Sequence, residues 1–307
     1  GSEDHVLQIT LHHIVSDAWT RGVLCRELAI LYDAFVNKQP SPLPPLPIQY
    51  GDFAQWQRQW LTGEVLEQQL SYWRDQLAGL TPLELPMDRP RPPIQTYRGA
   101  SYSISLGPAL TEDLQDLSRK NGVTLAVTLL TVFQVLLARY TGQTDIVVGL
   151  PIANRNQKEI EGLIGFFVNS LVIRTDVSAY PTFHELLKRV QEISLAAYDH
   201  QDLPFEKLVE ELQPERDPSR NPLFQVGFSL QNVPFEDFAL PGVKVQPFGG
   251  EVTTTRLDLE CHVWEKGDGL QVGLVYNTDL FDRETIQRFG SHFHKVLGHV
   301  VHDPAQR

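Results

Sequence analysis

The sequence has little cysteine, fewer positive than negative charges and no long hydrophobic run, and each of these features argues against a class of protein. Its two cysteines, Cys25 and Cys261, are too few for a disulfide framework, so we expect a cytoplasmic protein. The net charge of -12 at pH 7 argues against a nucleic-acid partner, which requires a basic face. No apolar run approaches the length of a membrane span, and nothing resembles a signal peptide.

The chain has 307 residues, which is more than a single hydrophobic core usually supports. We therefore expect two lobes. Gly1-Ser2 resembles the remnant of a cleaved tag, and an apolar segment follows almost at once, so we expect a chain cut from a longer polypeptide. The proline-rich run 81-TPLELPMDRPRPP-93 is the predicted linker between the lobes. We assign residues 1–2 to the tag, 3–90 to the remaining part of an N-terminal lobe and 91–307 to a C-terminal lobe.

Hydrophobic periodicity predicts strands that alternate with helices. The predicted strands are 5–13, 100–106, 145–152, 166–175, 223–230, 256–264 and 270–276. The predicted helices are one that starts after Ser16 or Asp17, a region at 50–79 that Gly63 divides, and 109–121, 124–140, 181–199 and 282–300. The run 40-PSPLPPLP-47 is expected to be an extended connector. This interleaving is typical of an α/β or mixed α+β fold.

Two adjacent histidines lie in 11-LHHIVSDAWTRG-22, at the end of the first predicted strand. Neighbouring residues of a strand point to opposite faces, so His13 is expected on the apolar side and His12 on the polar side. We therefore predict that His13 is buried, which disfavours its charged form, and that His12 holds the turn after the strand.

Asp17 follows in that turn, where its carboxylate can cap a helix or pair with an arginine. The residues alone leave several interpretations open, including ordinary capping beside a core histidine. A metal site is disfavoured, because the two imidazoles diverge and no further histidine or cysteine cluster has a ligand spacing. A serine hydrolase is disfavoured because the chain has no G-x-S-x-G elbow.

Five sequence blocks, taken in order, resemble those of the condensation domains of nonribosomal peptide synthetases. They are 12-HHIVSDA-18, 50-YGDFAQWQ-57, 164-IGFFVNSLVIR-174, 200-HQDLPFEKLV-209 and 216-RDPSRNPLFQV-226. The resemblance implies the chloramphenicol-acetyltransferase-like fold, a mixed α/β fold of two lobes. The family's earlier R-H-E-x-L-R block is missing here, so we expect the first lobe to be incomplete and the fragment to be inactive by itself.

The resemblance also implies an activity, which is peptide-bond formation between two substrates held as thioesters. His13 is the implied catalytic residue, either as general base or by positioning the amine, and His12 and Asp17 complete the motif. Arg155 is the expected partner of Asp17.

Further residues are implied to line the substrate channel or to support it: Ala18, Trp19, Asn169 and Asn221. Asn221 is interpreted equally well as a turn residue. Ala18 stands where the family motif has glycine, which is a departure if that position needs positive φ or close backbone approach.

The resemblance implies no cofactor bound by this domain, because its substrates arrive on the phosphopantetheine of carrier proteins. The implied partners are donor and acceptor carrier domains and a neighbouring adenylation domain, with no nucleic acid and no membrane. The late blocks favour a D-configured donor or a dual type. Two alternatives are kept: a non-catalytic structural or interaction subdomain of the synthetase, and a related epimerisation-type domain.

Overall fold

The computed structural model describes residues 4–215, 217–231, 239–246, 248–249 and 252–306. Its α-helices are α1 (Ala18–Val36), α2 (Tyr50–Trp60), α3 (Gly63–Leu77), α4 (Pro108–Lys120), α5 (Leu125–Thr141), α6 (Lys158–Glu161), α7 (Phe183–Asp199), α8 (Phe205–Leu212) and α9 (Arg283–His302). Its strands are β1 (Gly99–Leu106), β2 (Asp145–Ile152), β3 (Asn169–Asp176), β4 (Val226–Gln231), β5 (Leu259–Lys266) and β6 (Gly269–Asn277).

The chain divides into two compact units. Unit 1 comprises the described residues within 1–66, 152–169 and 233–250, and unit 2 comprises those within 67–151, 170–232 and 251–307. The run 81–93 lies in unit 2, where the Asp88 amide donates to the Leu280 carbonyl at 2.9 Å. Arg91 Nη1 also donates there to Asp258 Oδ1 at 2.9 Å. The assignment of 3–90 and 91–307 to two lobes stays a prediction.

Most predicted elements are present within a few residues of their expected ends. The strand 145–152 is confirmed at both ends, and the region 50–79 is divided into α2 and α3. Gly63 begins α3 with φ of 55°, a left-handed conformation that favours glycine, which explains the break. Two short helices, α6 and α8, were not predicted.

The prediction of a strand over 5–13 is wrong. Residues 4–12 have no regular secondary structure, a 3₁₀ helix covers His13–Val15, and all of these residues are exposed. A strand needs a neighbour to satisfy its backbone N–H and C=O groups, and no strand of the described residues pairs with this segment. Alternation within a single segment therefore did not determine its conformation.

Unit 2 is built on a mixed sheet in the order β1-β6-β5-β4-β2-β3. Strand β5 runs antiparallel to β6 and parallel to β4. On β5, Leu259, Cys261 and Val263 are almost fully buried, whereas His262 is partly exposed. The side chains of β5 therefore alternate between an apolar core face and a more polar face.

Helix α5 covers the core face of this sheet. Its Phe133 contacts Phe228 of β4 and Phe293 of α9, with ring centroids 5.8 and 6.2 Å away. Within the described residues, no single helix has the length and apolar character to cross a membrane; only α4 and α5 taken together, bent by 103°, meet that test.

Unit 1 has a small core of its own that positions the histidine motif. Phe53 of α2 packs with Ile160, Leu163 and Phe167, and Ile48 and Tyr50 flank this cluster. The run 40–47 has neither helix nor strand, as predicted. The segment 160–167 thus packs on α2.

Candidate functional site

His12 holds the turn before α1 through local hydrogen bonds. Its Nδ1 accepts from the Ile14 amide at 3.1 Å, which caps the 3₁₀ helix. Its carbonyl accepts from the Val15 amide at 3.1 Å and from Ser16 Oγ at 3.2 Å. The turn-holding contact predicted for His12 is therefore present, although no strand precedes it.

His13 is exposed, as are Leu7, Ile9 and Leu11 before it, so the prediction that it is buried on the apolar side of a strand is wrong. The cause is the missing strand, because strand alternation was the only reason to place its ring inside. The imidazole instead packs edge-on against Phe166, with centroids 5.2 Å apart and planes at 73°. Among the described residues no hydrogen bond to its ring nitrogens is present, which leaves them able to meet a substrate.

Asp17 is the N-cap of α1 and joins three parts of unit 1. Its Oδ1 accepts from the Thr20 amide at 2.8 Å, and its Oδ2 accepts from the Phe167 amide at 3.0 Å. Arg155 Nη2 lies 3.3 Å from Oδ1, with both side chains almost fully buried. The partner predicted for Asp17 is thus in place.

Arg155 ties the chain around α6 to the start of α1. Its Nη1 donates to the carbonyls of Ile160 at 2.6 Å and Leu163 at 2.8 Å, and its guanidinium lies 4.1 Å from the centre of the Phe167 ring. Burial lowers the pKa of Arg155, and the charge and hydrogen bond of Asp17 oppose that shift. A guanidinium has enough donors in a fixed plane to make these contacts together, which a lysine could not do.

Thr20 is a site residue that sequence reasoning missed. It is fully buried, and its Oγ1 donates to the Gly165 carbonyl at 2.8 Å. The same oxygen accepts from the Gly165 amide at 3.1 Å and from Arg155 Nη2 at 3.3 Å. The available signal was a threonine three residues after an N-cap aspartate, but its partner is 145 residues away along the chain.

Gly165 and Tyr50 were also missed as individual residues, although both lie in the five sequence blocks. A Cβ added at Gly165 would meet Tyr50 Cδ2 at 2.2 Å, so a larger residue fits there only if Tyr50 moves. Tyr50 Oη donates to the Phe166 carbonyl at 2.8 Å. Burial, and then the negative charge of Asp17, raise the pKa of Tyr50.

Trp19 and Ala18 lie at the start of α1. Trp19 Nε1 donates to the Glu161 carbonyl at 2.8 Å, which joins the start of α1 to the end of α6. Ala18 is the first residue of α1, is exposed, and is not among the residues with positive φ. Its methyl group is therefore compatible with the backbone at this position.

The two asparagines lie in different units. Asn169 is buried at the start of β3. Asn221 is in unit 2, where its Nδ2 donates to the Arg256 carbonyl and its main-chain carbonyl accepts from Gln225 Nε2 at 3.0 Å. These contacts agree with a turn residue, and a place in a substrate channel stays a prediction for both asparagines.

The arrangement suits proton transfer or hydrogen bonding by one imidazole on a rigid support. Within the part of the chain that the structure describes, no group of three or more His, Cys, Asp or Glu side chains could hold a metal ion. The candidate reactive group is His13, on a turn supported by a frame of His12, Asp17, Thr20 and Arg155.

Comparison with known proteins gives consistent matches along the whole chain. A family model described as Condensation domain matches residues 1–307. The chain is 52% identical over 308 residues to a component of the linear gramicidin synthase of Brevibacillus parabrevis, and 46% identical over 305 residues to malpinin synthetase of Mortierella alpina. Each match covers 99% of this chain but only 6% and 4% of those proteins, respectively.

Solved structures give the same result for the fold. The X-domain from teicoplanin biosynthesis superposes with a TM-score of 0.87 at 31% identity, covering 97% of this chain and 69% of that one. The condensation domain of the monacolin K polyketide synthase MokA superposes with a TM-score of 0.80 at 22% identity, which is evidence for the fold alone. The predicted chloramphenicol-acetyltransferase-like, mixed α/β fold is confirmed.

Proposed function

Because the chain belongs to the condensation domain family, we propose that it forms peptide bonds in nonribosomal peptide synthesis. The donor is an aminoacyl or peptidyl group held as a thioester on one carrier domain. The acceptor is the amine of an aminoacyl group on a second carrier. The product is the donor chain lengthened by one residue on the acceptor carrier.

One observation supports this function more than any other: His13 is exposed at the start of a turn that is anchored by the buried side chains of Asp17, Thr20 and Arg155. Asp17 is fixed by the Thr20 and Phe167 amides and by Arg155. The imidazole is thereby held on a rigid turn with no hydrogen bond among the described residues to occupy its nitrogens. Such a ring can act on a reactant without first breaking a structural contact.

The reaction asks little of the protein beyond alignment, since a thioester is already activated. The amine nitrogen attacks the thioester carbon, the C–N bond forms, the C–S bond breaks, and the thiol leaves. Aligning the two groups lowers the barrier by several kcal/mol, up to about 10. His13 either takes the proton that the amine loses or hydrogen-bonds the amine and the tetrahedral intermediate.

The proposed partners follow from this chemistry. Donor and acceptor carrier domains bring the substrates on phosphopantetheine arms, and a neighbouring adenylation domain loads them. The curated relatives are synthetases of which this chain matches only a few per cent, which is consistent with one domain among many. We propose that this domain binds no cofactor of its own and acts in the cytoplasm.

The test is a transfer assay between two loaded carrier domains, with these 307 residues placed in a synthetase. We expect His13→Ala to slow transfer about a hundredfold or more. His5→Ala is the matched control, because His5 is also exposed on the N-terminal segment and should leave the rate unchanged. Circular dichroism of both variants checks that the fold is kept.

His13→Gln separates the two roles of the imidazole, because glutamine can hydrogen-bond the amine but cannot take its proton at neutral pH. A rate near that of His13→Ala indicates a general base, and a rate near wild type indicates positioning. A His13→Ala variant as fast as wild type would contradict a catalytic role and favour a non-catalytic subdomain.

A further inference from the structure

Four basic side chains lie along one face of α9. Arg288, His292, Lys295 and His299 are spaced by four, three and four residues, and on a helix this spacing places them in one line. We call them the basic stripe. It extends over twelve residues, or about 16 Å of helix. All four side chains are exposed.

The basic stripe borders a groove between α5 and α9 of about 590 Å³. Arg139 of α5 contributes a further cation to the rim. The floor is apolar, with Leu136 buried and Val296 half-buried. An apolar floor with a charged rim is the form of a groove that accepts an amphipathic helix.

The cations of this groove lack carboxylate partners in the described part of the chain. No Asp or Glu there forms an ion pair with Arg139, Arg288 or Lys295, whereas Arg74, Arg89 and Arg119 do have such partners. Within the described residues, Arg139, Arg288 and Lys295 are thus cations without a carboxylate partner in a chain of net charge -12. An external anion can therefore bind without displacing an internal one.

Part of the groove is already ordered. Tyr140 Oη and His292 Nδ1 share a hydrogen bond of 2.8 Å, and the Tyr140 ring packs on Phe289 at 4.9 Å. Arg288 Nη2 donates to Thr285 Oγ1 at 2.8 Å. Side chains held in place before binding lose less conformational entropy when a partner arrives.

We propose that this groove binds an acidic amphipathic helix of a protein partner. Carboxylates spaced by four, three and four residues on that helix meet the basic stripe, and its apolar side chains cover Val296 and Tyr140. The spacing favours a helix over a small anion, because the basic side chains continue over three turns. The charge of -12 repels a short helix with a few carboxylates less than it repels nucleic acid or an anionic membrane, whose many phosphates extend beyond the groove.

The experiment measures binding of a fluorescent helical peptide of about 20 residues, long enough to hold a helix in water. It carries four glutamates at the stripe's spacing, and a matched peptide carries glutamines. The 307-residue chain is compared with Arg288→Glu/Lys295→Glu and with the control Lys188→Glu/Lys207→Glu. The control residues are exposed cations of α7 and α8, so both double variants change the net charge equally.

We expect the glutamate peptide to bind the wild-type and control chains alike at low salt. The stripe variant and the glutamine peptide should each bind about tenfold more weakly or worse. Equal binding by the two double variants, or by the two peptides, would overturn the proposal. So would no binding of the glutamate peptide, or stronger stripe-dependent binding of a DNA duplex or of phosphatidylserine vesicles.

Discussion

The Arg155 guanidinium contacts the Asp17 carboxylate inside unit 1, with Nη2 3.3 Å from Oδ1 and the side chains only 1% and 3% exposed. A buried ion pair is weak evidence of stabilisation by itself, because desolvation offsets the attraction. Here Arg155 also satisfies two carbonyls, and Asp17 satisfies two amides. Removing either residue would therefore leave a buried charge and buried backbone groups without hydrogen bonds, and this loss is the main contribution of the pair to stability.

Replacing Arg155 by lysine should destabilise the chain despite the kept charge. A lysine cannot reach Asp17 and both carbonyls together, and the unmet buried groups should cost about 3 kcal/mol of the free energy of unfolding. Urea denaturation measures the difference. Arg119→Lys is the control, since Arg119 pairs with Asp116 on the exposed face of α4 and should change the free energy by less than about 0.5 kcal/mol. Equal effects of the two variants would contradict the buried network.

The hydrogen bonds of the Thr20 hydroxyl are predicted to contribute more to the free energy of unfolding than the packing of its side chain. Thr20→Val keeps the shape but removes a donor and an acceptor, leaving Gly165 N–H and C=O unpaired at a buried position. We expect a loss of about 2–4 kcal/mol in the free energy of unfolding.

Thr111→Val is the matched control for Thr20→Val. Thr111 is also buried in a helix, but its hydroxyl has no hydrogen-bond partner within the described residues. Its replacement should be neutral or stabilising in the same denaturation experiment. If Thr111→Val proved as costly as Thr20→Val, loss of the hydroxyl contacts would not explain the result.

Gly165→Ala should strain the contact between Gly165 and Tyr50. The new methyl would lie 2.2 Å from Tyr50 Cδ2, so the ring must move away from the Phe166 carbonyl that it binds. Such overpacking costs about 1–3 kcal/mol. Gly51→Ala, where nothing lies within 4 Å, should be neutral or slightly stabilising, because alanine favours the helix α2. Thermal unfolding of both variants distinguishes the two effects.

The elements of unit 2 could be predicted because their signal is local. In 145-DIVVGLPI-152 a run of apolar residues between turns predicts a core strand, and the structure confirms both of its ends. Residues 5–13 show an equally clear alternation but form no strand. Pairing depends on a neighbour elsewhere in the chain, which the local pattern does not contain.

The site could be predicted only where its signal is local, as it is for the elements of unit 2. His12, Asp17 and Arg155 were found through the spacing of a motif and through family blocks. The contacts of Thr20 with Gly165 and of Tyr50 with Phe166 join residues 145 and 116 positions apart. No periodicity encodes such distances, so these residues were missed as parts of the frame.

Acid should weaken the contacts of Glu260 on β5. Burial would raise the pKa of its carboxyl, but His262, Thr255 and the Arg256 amide outweigh burial and lower that pKa to about 2 from 4.5. A carboxyl with a lowered folded-state pKa stabilises the fold above pH 4.5, and the contribution is lost as pH falls to about 2. The shift corresponds to about 3 kcal/mol.

Glu260→Gln tests this pH dependence, because glutamine cannot ionise. The variant should be less stable than wild type above pH 4.5, and the difference should shrink towards pH 2 in denaturation series. Glu265→Gln, on the exposed end of the same strand, should follow the wild-type curve. A constant difference at every pH would indicate lost packing rather than lost charge.

Restoring the motif glycine at position 18 should bring no gain in activity. Ala18 begins α1 and does not have positive φ, so its backbone needs no glycine, and its methyl is exposed. Ala18→Gly should lower the free energy of unfolding by up to about 1 kcal/mol, since glycine weakens a helix relative to alanine. The rate between loaded carrier domains should stay within about twofold of wild type, well under the change that one catalytic contact makes. A tenfold faster variant would mean that a substrate approaches this backbone closely, and that Ala18 limits the reaction.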